Sequence, residues 1–112
     1  MGTRSTITAK CADGKWRAIY CHWDGYLEGV GIALLLNHNT QKAAEALIAK
    51  GDHSVIEKQR TVSYFELRED PIKVVVSETY AECRQIRDFE EFNYVWNGVR
   101  WSETDNPDWN AL

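Results

Sequence analysis

The sequence predicts an α+β fold: an antiparallel sheet built from N- and C-terminal hairpins, with two helices packed on one face. Three observations predict it. Asp13-Gly14 separates two β-rich runs near the start, and Asn97-Gly98 separates two more near the end. Between them, residues 32–49 carry apolar side chains at helical rather than alternating spacing. The chain has 112 residues, 44% hydrophobic and 27% charged, which suits a single domain spanning 1–112 with its own core.

The elements follow in order. Residues 3–11 alternate, and residues 15–23 are rich in β-formers. With Asp13-Gly14 at the two central positions of the turn, Cys11 faces Trp16, Ile7 faces Tyr20 and Ser5 faces His22. The expected core face is then Ser5, Ile7, Ala9, Cys11, Trp16, Ala18, Tyr20 and His22, with Ile19 and Cys21 on the other side. Residues 24–31 form a glycine-punctuated loop or helix entry, and residues 32–37 read as a short buried helix broken at Asn37-His38-Asn39. Thr40 is placed to cap a second helix whose Ala43, Ala44, Leu47 and Ile48 form an apolar stripe, and Gly51 ends it. Residues 60–68 and 72–80 are β-rich, with Glu69-Asp70-Pro71 as a turn between them. Asp88-Phe89-Glu90-Glu91 has the spacing of a capping box. The last hairpin turns on Asn97-Gly98, a type I′ signal that sets Trp96 against Val99 and Tyr94 against Trp101. Phe92, Tyr94, Trp96, Val99 and Trp101 then share one side, a broad aromatic surface for which the two helices are the cover.

Charge and cysteine usage narrow the partners. Thirteen Lys and Arg against seventeen Asp and Glu leave a net charge of −4, which disfavours direct binding to a phosphate backbone. The imbalance lies in residues 61–112, with five basic and eleven acidic side chains. Within that half, Asp88, Glu90, Glu91, Glu103, Asp105 and Asp108 are the expected contacts for a basic protein surface, joined by Trp109 in a polar tail. The longest apolar run, residues 31–36, is far too short to span a bilayer, and no secretory signal is read at the start. Cys11, Cys21 and Cys83 have no CxxC spacing and fit reduced thiols in a cytosol. In the expected hairpin, Cys11 and Cys21 lie on opposite faces with about 17 Å of strand between them, so neither a metal site nor a cofactor is expected.

Two constellations invite chemistry. Ser5, His22 and Asp24 fall at one end of the expected sheet, but the chain offers neither a nucleophile elbow nor assigned oxyanion donors, so no catalytic residue is expected. Ser5 is better read as bonding across the strand pair. The other constellation is Gly25, Gly29 and Gly31 ahead of an apolar helix. Free amides at such a start hold anions, and Arg4, His22, Trp23, Asp24 and Tyr26 would complete a ligand site with Gly29 and Gly31. The pattern is neither GxGxxG nor a P-loop.

The run Ile19-Tyr20-Cys21-His22-Trp23-Asp24-Gly25-Tyr26, followed by Glu28-Gly29-Val30-Gly31, resembles a family of small accessory proteins frequent in phages and prophages. Arg4-Ser5-Thr6-Ile7, Asn39-Thr40, Ala46-Leu47-Ile48 and Gly51-Asp52-His53-Ser54 fit it as well. The resemblance covers residues 3–55 and stops short of residues 56–85, and Leu27 stands where the family pattern has proline. It implies a phage accessory role rather than a reaction, because the family has no settled activity. Small dispensable phage domains of this kind often antagonise host defence. The expected function is therefore a non-enzymatic, anti-CRISPR-like inhibitor in the host cytoplasm that binds a host defence protein complex partly through its acidic half. The alternative is a protein that sequesters a small anion, such as a signalling nucleotide, in the loop from His22 to Gly31.

Overall fold

The computed structural model describes residues 3–86, 90–104 and 109. Strands β1 (Ser5–Lys10) and β2 (Trp16–Cys21) form the first hairpin, one step away from the expected pairing: Ser5 faces Cys21, Ile7 faces Ile19 and Lys10 faces Trp16. The turn explains the slip. The Gly14 N–H donates to the Cys11 carbonyl at 2.9 Å, and the Cys11 N–H donates to the Lys15 carbonyl at 2.8 Å. Gly14 has φ +85°, whereas Asp13 is not in the left-handed region. Residues 12–14 are thus a type I turn closed by a glycine bulge, not a two-residue turn. Asp13 Oδ1 accepts the Lys15 N–H at 3.0 Å and steadies the bulge. Because side chains alternate, one added residue exchanges the faces of β2. Ile19 and Cys21 are fully buried beside Ile7 and Ala9, while Trp16 and Tyr20 turn to the opposite face and stay half-buried.

The sheet is seven-stranded and mostly antiparallel. Strands β3 (His53–Ile56), β4 (Thr61–Ser63), β5 (Val75–Ser77), β6 (Phe92–Trp96) and β7 (Trp101–Glu103) join the first two in the order β4-β3-β2-β1-β6-β7, with β5 also on β2. The two terminal hairpins meet in the middle, where β1 and β6 run parallel and Ile7 lies beside Tyr94. The outer edge of β2 is shared: β3 pairs in parallel at Cys21, and β5 pairs antiparallel from Trp16 to Ala18. Thr6 Oγ1 donates to Asn93 Oδ1 at 2.7 Å across the β1–β6 seam, a buried bond that helps to fix that register.

Helices α1 (Ile32–Asn37) and α2 (Gln41–Ala49) cover the apolar face, as the amphipathic spacing predicts. They supply Ala33, Leu34, Ala44, Leu47 and Ile48 to a core shared with Ile7, Ile19, Tyr94, Trp96 and Trp101. Burying each leucine or isoleucine contributes about 1.5–3 kcal/mol. The expected caps form: Thr40 Oγ1 accepts the Ala43 N–H at 3.1 Å, and Gly51 at φ +78° ends the helix.

The middle of the chain departs from the expected pair of strands. Residues expected as strand form α3 (Tyr64–Arg68), started by Ser63 Oγ accepting the Glu66 N–H at 3.1 Å and ended by Glu69 at φ +58°. As a result β4 pairs with β3 and β5 with β2, not with each other. Helix α4 (Tyr80–Ile86) follows, capped by Thr79 Oγ1 accepting the Glu82 N–H at 3.2 Å. It packs on the sheet face opposite α1 and α2, with the Tyr80 ring 5.3 Å from that of Trp16 and Cys83 buried beneath it. Of the capping-box stretch 88–91, Asp88 and Phe89 lie outside the described residues.

In the last hairpin Trp96 faces Trp101 and Tyr94 faces Glu103, two residues from the expected register. Gly98, not Asn97, takes the first central position at φ +99°, and Val99 is not left-handed, which matches a type II′ turn. Asn97 Oδ1 accepts from the Val99 and Arg100 amides at 2.8 and 2.9 Å. A shift of two residues preserves the face. Trp96 and Trp101 therefore still lie together on the core side, edge to face at 5.5 Å, while Val99 sits in the turn at 80% exposure. Trp101 also donates from Nε1 to the His38 carbonyl at 2.9 Å, tying β7 to the end of α1. Replacing Trp101 with alanine is expected to remove about 3–5 kcal/mol of stability in urea denaturation. Val99→Ala should stay within about 0.5 kcal/mol of the parent in the same measurement.

Candidate functional site

Pairing alone assembles one end of the sheet. Ser5 is in register with both Cys21 and Phe92, so Arg4, His22 and Glu91, their neighbours along the chain, emerge at the same end. Tyr20 and His22, two apart on one side of the strand, meet with the Tyr20 hydroxyl 2.6 Å from His22 Nδ1. The His22 ring stands edge-on to Trp23 at 4.6 Å. The backbone beneath them is fixed by β3, because the His22 and Trp23 amides donate to the His53 and Ser54 carbonyls at 3.0 Å each. The Tyr20 amide donates to Asp52 Oδ1 at 2.9 Å.

After Trp23 the chain turns sharply. Asp24 adopts φ +55°, and its carbonyl accepts the Val30 N–H at 2.9 Å, closing a single wide helical turn at Leu27–Gly31 onto the loop. This leaves Trp23 and Tyr26 at 43% and 38% exposure on a backbone hydrogen-bonded to β3 and to the loop itself. The Tyr26 hydroxyl donates to Asp24 Oδ1 at 3.3 Å, and the Asp24 carboxylate is the main reason that the Tyr26 pKa is raised.

The acidic residues arrive from the other side. Glu90 is held by Asn93: its amide donates to Asn93 Oδ1 at 3.1 Å, and its carbonyl accepts from Asn93 Nδ2 at 2.8 Å. Burial raises the Tyr20 pKa, with Arg4 opposing the shift and Glu90 adding to it. Two groups of residues that the sequence kept apart, Arg4 with His22–Tyr26 and Glu90 with Glu91, thus emerge at one end of the sheet.

The glycines do different work from that expected. The Gly25 N–H donates to the Thr3 carbonyl at 2.8 Å, the Gly29 N–H to the Tyr26 carbonyl at 3.0 Å, and the Gly31 N–H to the same carbonyl at 3.4 Å. These amides are spent inside the loop and do not form an anion cradle. A Cβ on Gly29 would collide with the Asp24 carbonyl, and one on Gly31 would press on Trp109 and Tyr94. Gly29 and Gly31 therefore serve close packing rather than ligand binding. The Gly25 carbonyl accepts the Tyr94 hydroxyl at 2.7 Å, which fastens the loop to the core. Ser5, His22 and Asp24 do not assemble as a triad, since Ser5 faces Cys21 and its Oγ is buried without a partner.

Two other expected contact residues are interior. Glu103 is fully buried, with Oε2 accepting the Asn93 N–H at 2.9 Å and the Thr104 hydroxyl at 3.3 Å, so it completes the ladder where β7 stops. Trp109 is 9% exposed and stands edge-on to Tyr94 at 5.5 Å, closing the core above Gly31. Asp88, Asp105 and Asp108 lie outside the described residues. Among the described residues no group of three or more His, Cys, Asp or Glu side chains is placed to hold a metal ion. Burial pushes the Cys21 thiol up to about 12, which keeps it neutral.

No family model, curated protein or solved structure matches this chain. The site is therefore read from its own geometry. Among the described residues no helix is long and apolar enough to cross a membrane.

The sequence places Tyr20 on the expected core face and gives His53 no role at a site. The Tyr-x-His spacing on a strand was the signal for Tyr20. His53 is fully buried, with Nδ1 2.7 Å from the Gly51 carbonyl and Nε2 without a partner. Burial lowers its pKa below the ordinary 6.5, helped by Lys50 and opposed by the Gly51 bond, Glu66 and Asp52. His38, whose Nε2 is likewise unpartnered, is lowered by burial and by His53. Both imidazoles fold neutral and take up protons more readily when unfolded. Their contribution is complete above the unfolded pKa near 6.5 and is lost as pH falls below it. Urea midpoints measured from pH 7.5 to 5 should fall for the parent protein and fall less steeply for His53→Gln. Parallel curves would contradict this assignment.

Proposed function

We propose that this protein is a phage-encoded, non-enzymatic inhibitor of a bacterial defence system, anti-CRISPR-like in role. It acts in the host cytoplasm by docking on a host protein complex through the sheet end formed by Arg4, His22, Trp23, Asp24, Tyr26, Glu90 and Glu91. The observation that carries this reading is the exposure of Trp23 and Tyr26 on a hydrogen-bonded, β3-anchored loop. Exposed, rigid aromatic side chains lose little entropy on binding and dominate the energy of protein interfaces. Asp24 and Glu28 lie by Tyr26, and Glu90 and Glu91 emerge at the same sheet end, against one Arg4, which favours a basic partner surface and speeds its approach. The phage context comes from the resemblance over residues 3–55. Sequestration of a small anion by the same loop has lost its principal donors, because the glycine amides are spent internally.

Pull-down from a host lysate, followed by native mass spectrometry, tests the proposal. The parent protein should retain a protein complex, and Trp23→Ala with Tyr26→Ala should weaken that complex about tenfold or more. Glu90→Gln with Glu91→Gln should weaken it at low salt and matter less at high salt. Retention unchanged by both double variants, or a small molecule retained in place of a protein, would contradict the proposal.

A further inference from the structure

The opposite end of the sheet carries a second feature, independent of the docking surface. There β5 extends the apolar face beyond β2, setting Val76 beside Arg17, while α2 stops at Ala49. The step between helix and strand leaves a groove of about 420 Å³. Its walls are aliphatic, with Ala49 on one side and Val74 and Val76 on the other, and Val76 stands 48% exposed.

The charges in the groove are unequal. Arg17 is locked to Asp13 by two bonds of 2.9 and 3.1 Å, which pulls the Asp13 carboxyl down to about 2. That pair is internally neutral. Glu45 is different. Its Oε2 accepts the Ala12 N–H at 3.0 Å and Gln41 Nε2 at 2.7 Å, both neutral donors. Among the described residues no Lys, Arg or His forms an ion pair with it. The charges acting on the Cys11 thiol in the groove floor are Arg17, Glu45 and Asp13, one cation against two anions.

We propose that this groove binds a primary alkylammonium group, with the ammonium on Glu45 Oε1 and a four- or five-carbon stem along Ala49, Val74 and Val76. An ammonium is a compact charge with three donors and suits a carboxylate of which one oxygen is already engaged. A guanidinium loses its two-oxygen fork where one oxygen is already engaged, and an anion meets an uncompensated carboxylate. The stem gains by leaving water for an aliphatic wall. A free diamine and a lysine side chain of a partner protein present the same chemistry.

Amide chemical-shift titration of the intact protein separates these cases. The probes are 1,5-diaminopentane, Nα-acetyl-lysine amide, Nα-acetyl-arginine amide and pentan-1-ol. The expected result is saturable shifts confined to Ala12, Glu45, Ala49, Val74 and Val76 for at least one of the two amines. The alcohol probe should give none, and the arginine probe a weaker response than the amines. A stronger response to the diamine identifies a free amine, and a stronger response to the lysine amide identifies a partner side chain. Glu45→Gln keeps the shape and the acceptor oxygen, and it should weaken amine binding about tenfold. An unchanged thermal unfolding curve would show that this variant folds, and Glu45→Asp serves in its place if it does not. Absence of saturable shifts with both amines, or binding indifferent to Glu45, would overturn the proposal.

Discussion

Gly14, at φ +85°, lets the first hairpin close over residues 12–14, and that one added residue decides which side chains of β2 face inward. The consequences run through the molecule. Ile19 and Cys21 enter the core beside Ile7, where α1 and α2 cover them. Tyr20 is turned out to meet His22, and Arg17 is turned toward the groove beneath α2. A two-residue turn would have buried Tyr20 and His22 and left Ile19 in water, exchanging an apolar interior for unsatisfied polar groups. Both surfaces described above, one at each end of the hairpin, follow from the same register.

The proposed docking surface illustrates how a small sheet fastens an exposed patch. Three segments distant in sequence converge there because β1 is central, bonded to β2 on one side and to β6 on the other. Each segment is fastened independently: Arg4 by its carbonyl accepting the Phe92 N–H, the loop by the Tyr94 hydroxyl on the Gly25 carbonyl and the Trp23 N–H on the Ser54 carbonyl, and Glu90 by Asn93. Much of the entropy of presenting Trp23 and Tyr26 is therefore met during folding rather than on binding. The loop glycines belong to this fastening, since Gly29 admits the Asp24 carbonyl where any side chain would block it.

Local signals were legible in the sequence, and long-range ones were not. Thr40 and Gly51 bound α2 because a cap needs only its own turn, and the pairs Asp13-Gly14 and Asn97-Gly98 marked both hairpins. The same pairs did not reveal which turn position each glycine takes, and that position sets the register. Tyr64 and Phe65 suggested a strand by their β preference, yet Ser63 and Glu66 held the spacing of a helix start, as did Thr79 and Glu82 for α4. His22, Trp23 and Tyr26 stand out in the sequence as candidate site residues by their chemistry. Their union with Arg4 and Glu90, and the burial of Glu103 and Trp109, depend on the parallel pairing of β1 with β6 and on core packing, which no local pattern encodes.

Cross-strand nuclear Overhauser contacts between α-protons test the hairpin register most directly, because opposed residues approach closely only in the correct pairing. Contacts are predicted between Thr6 and Tyr20 and between Thr8 and Ala18. Contacts between Ile7 and Tyr20 or between Ala9 and Ala18, the close pairs of a two-residue turn, would contradict the account, and with it the placement of Tyr20 beside His22 at the surface.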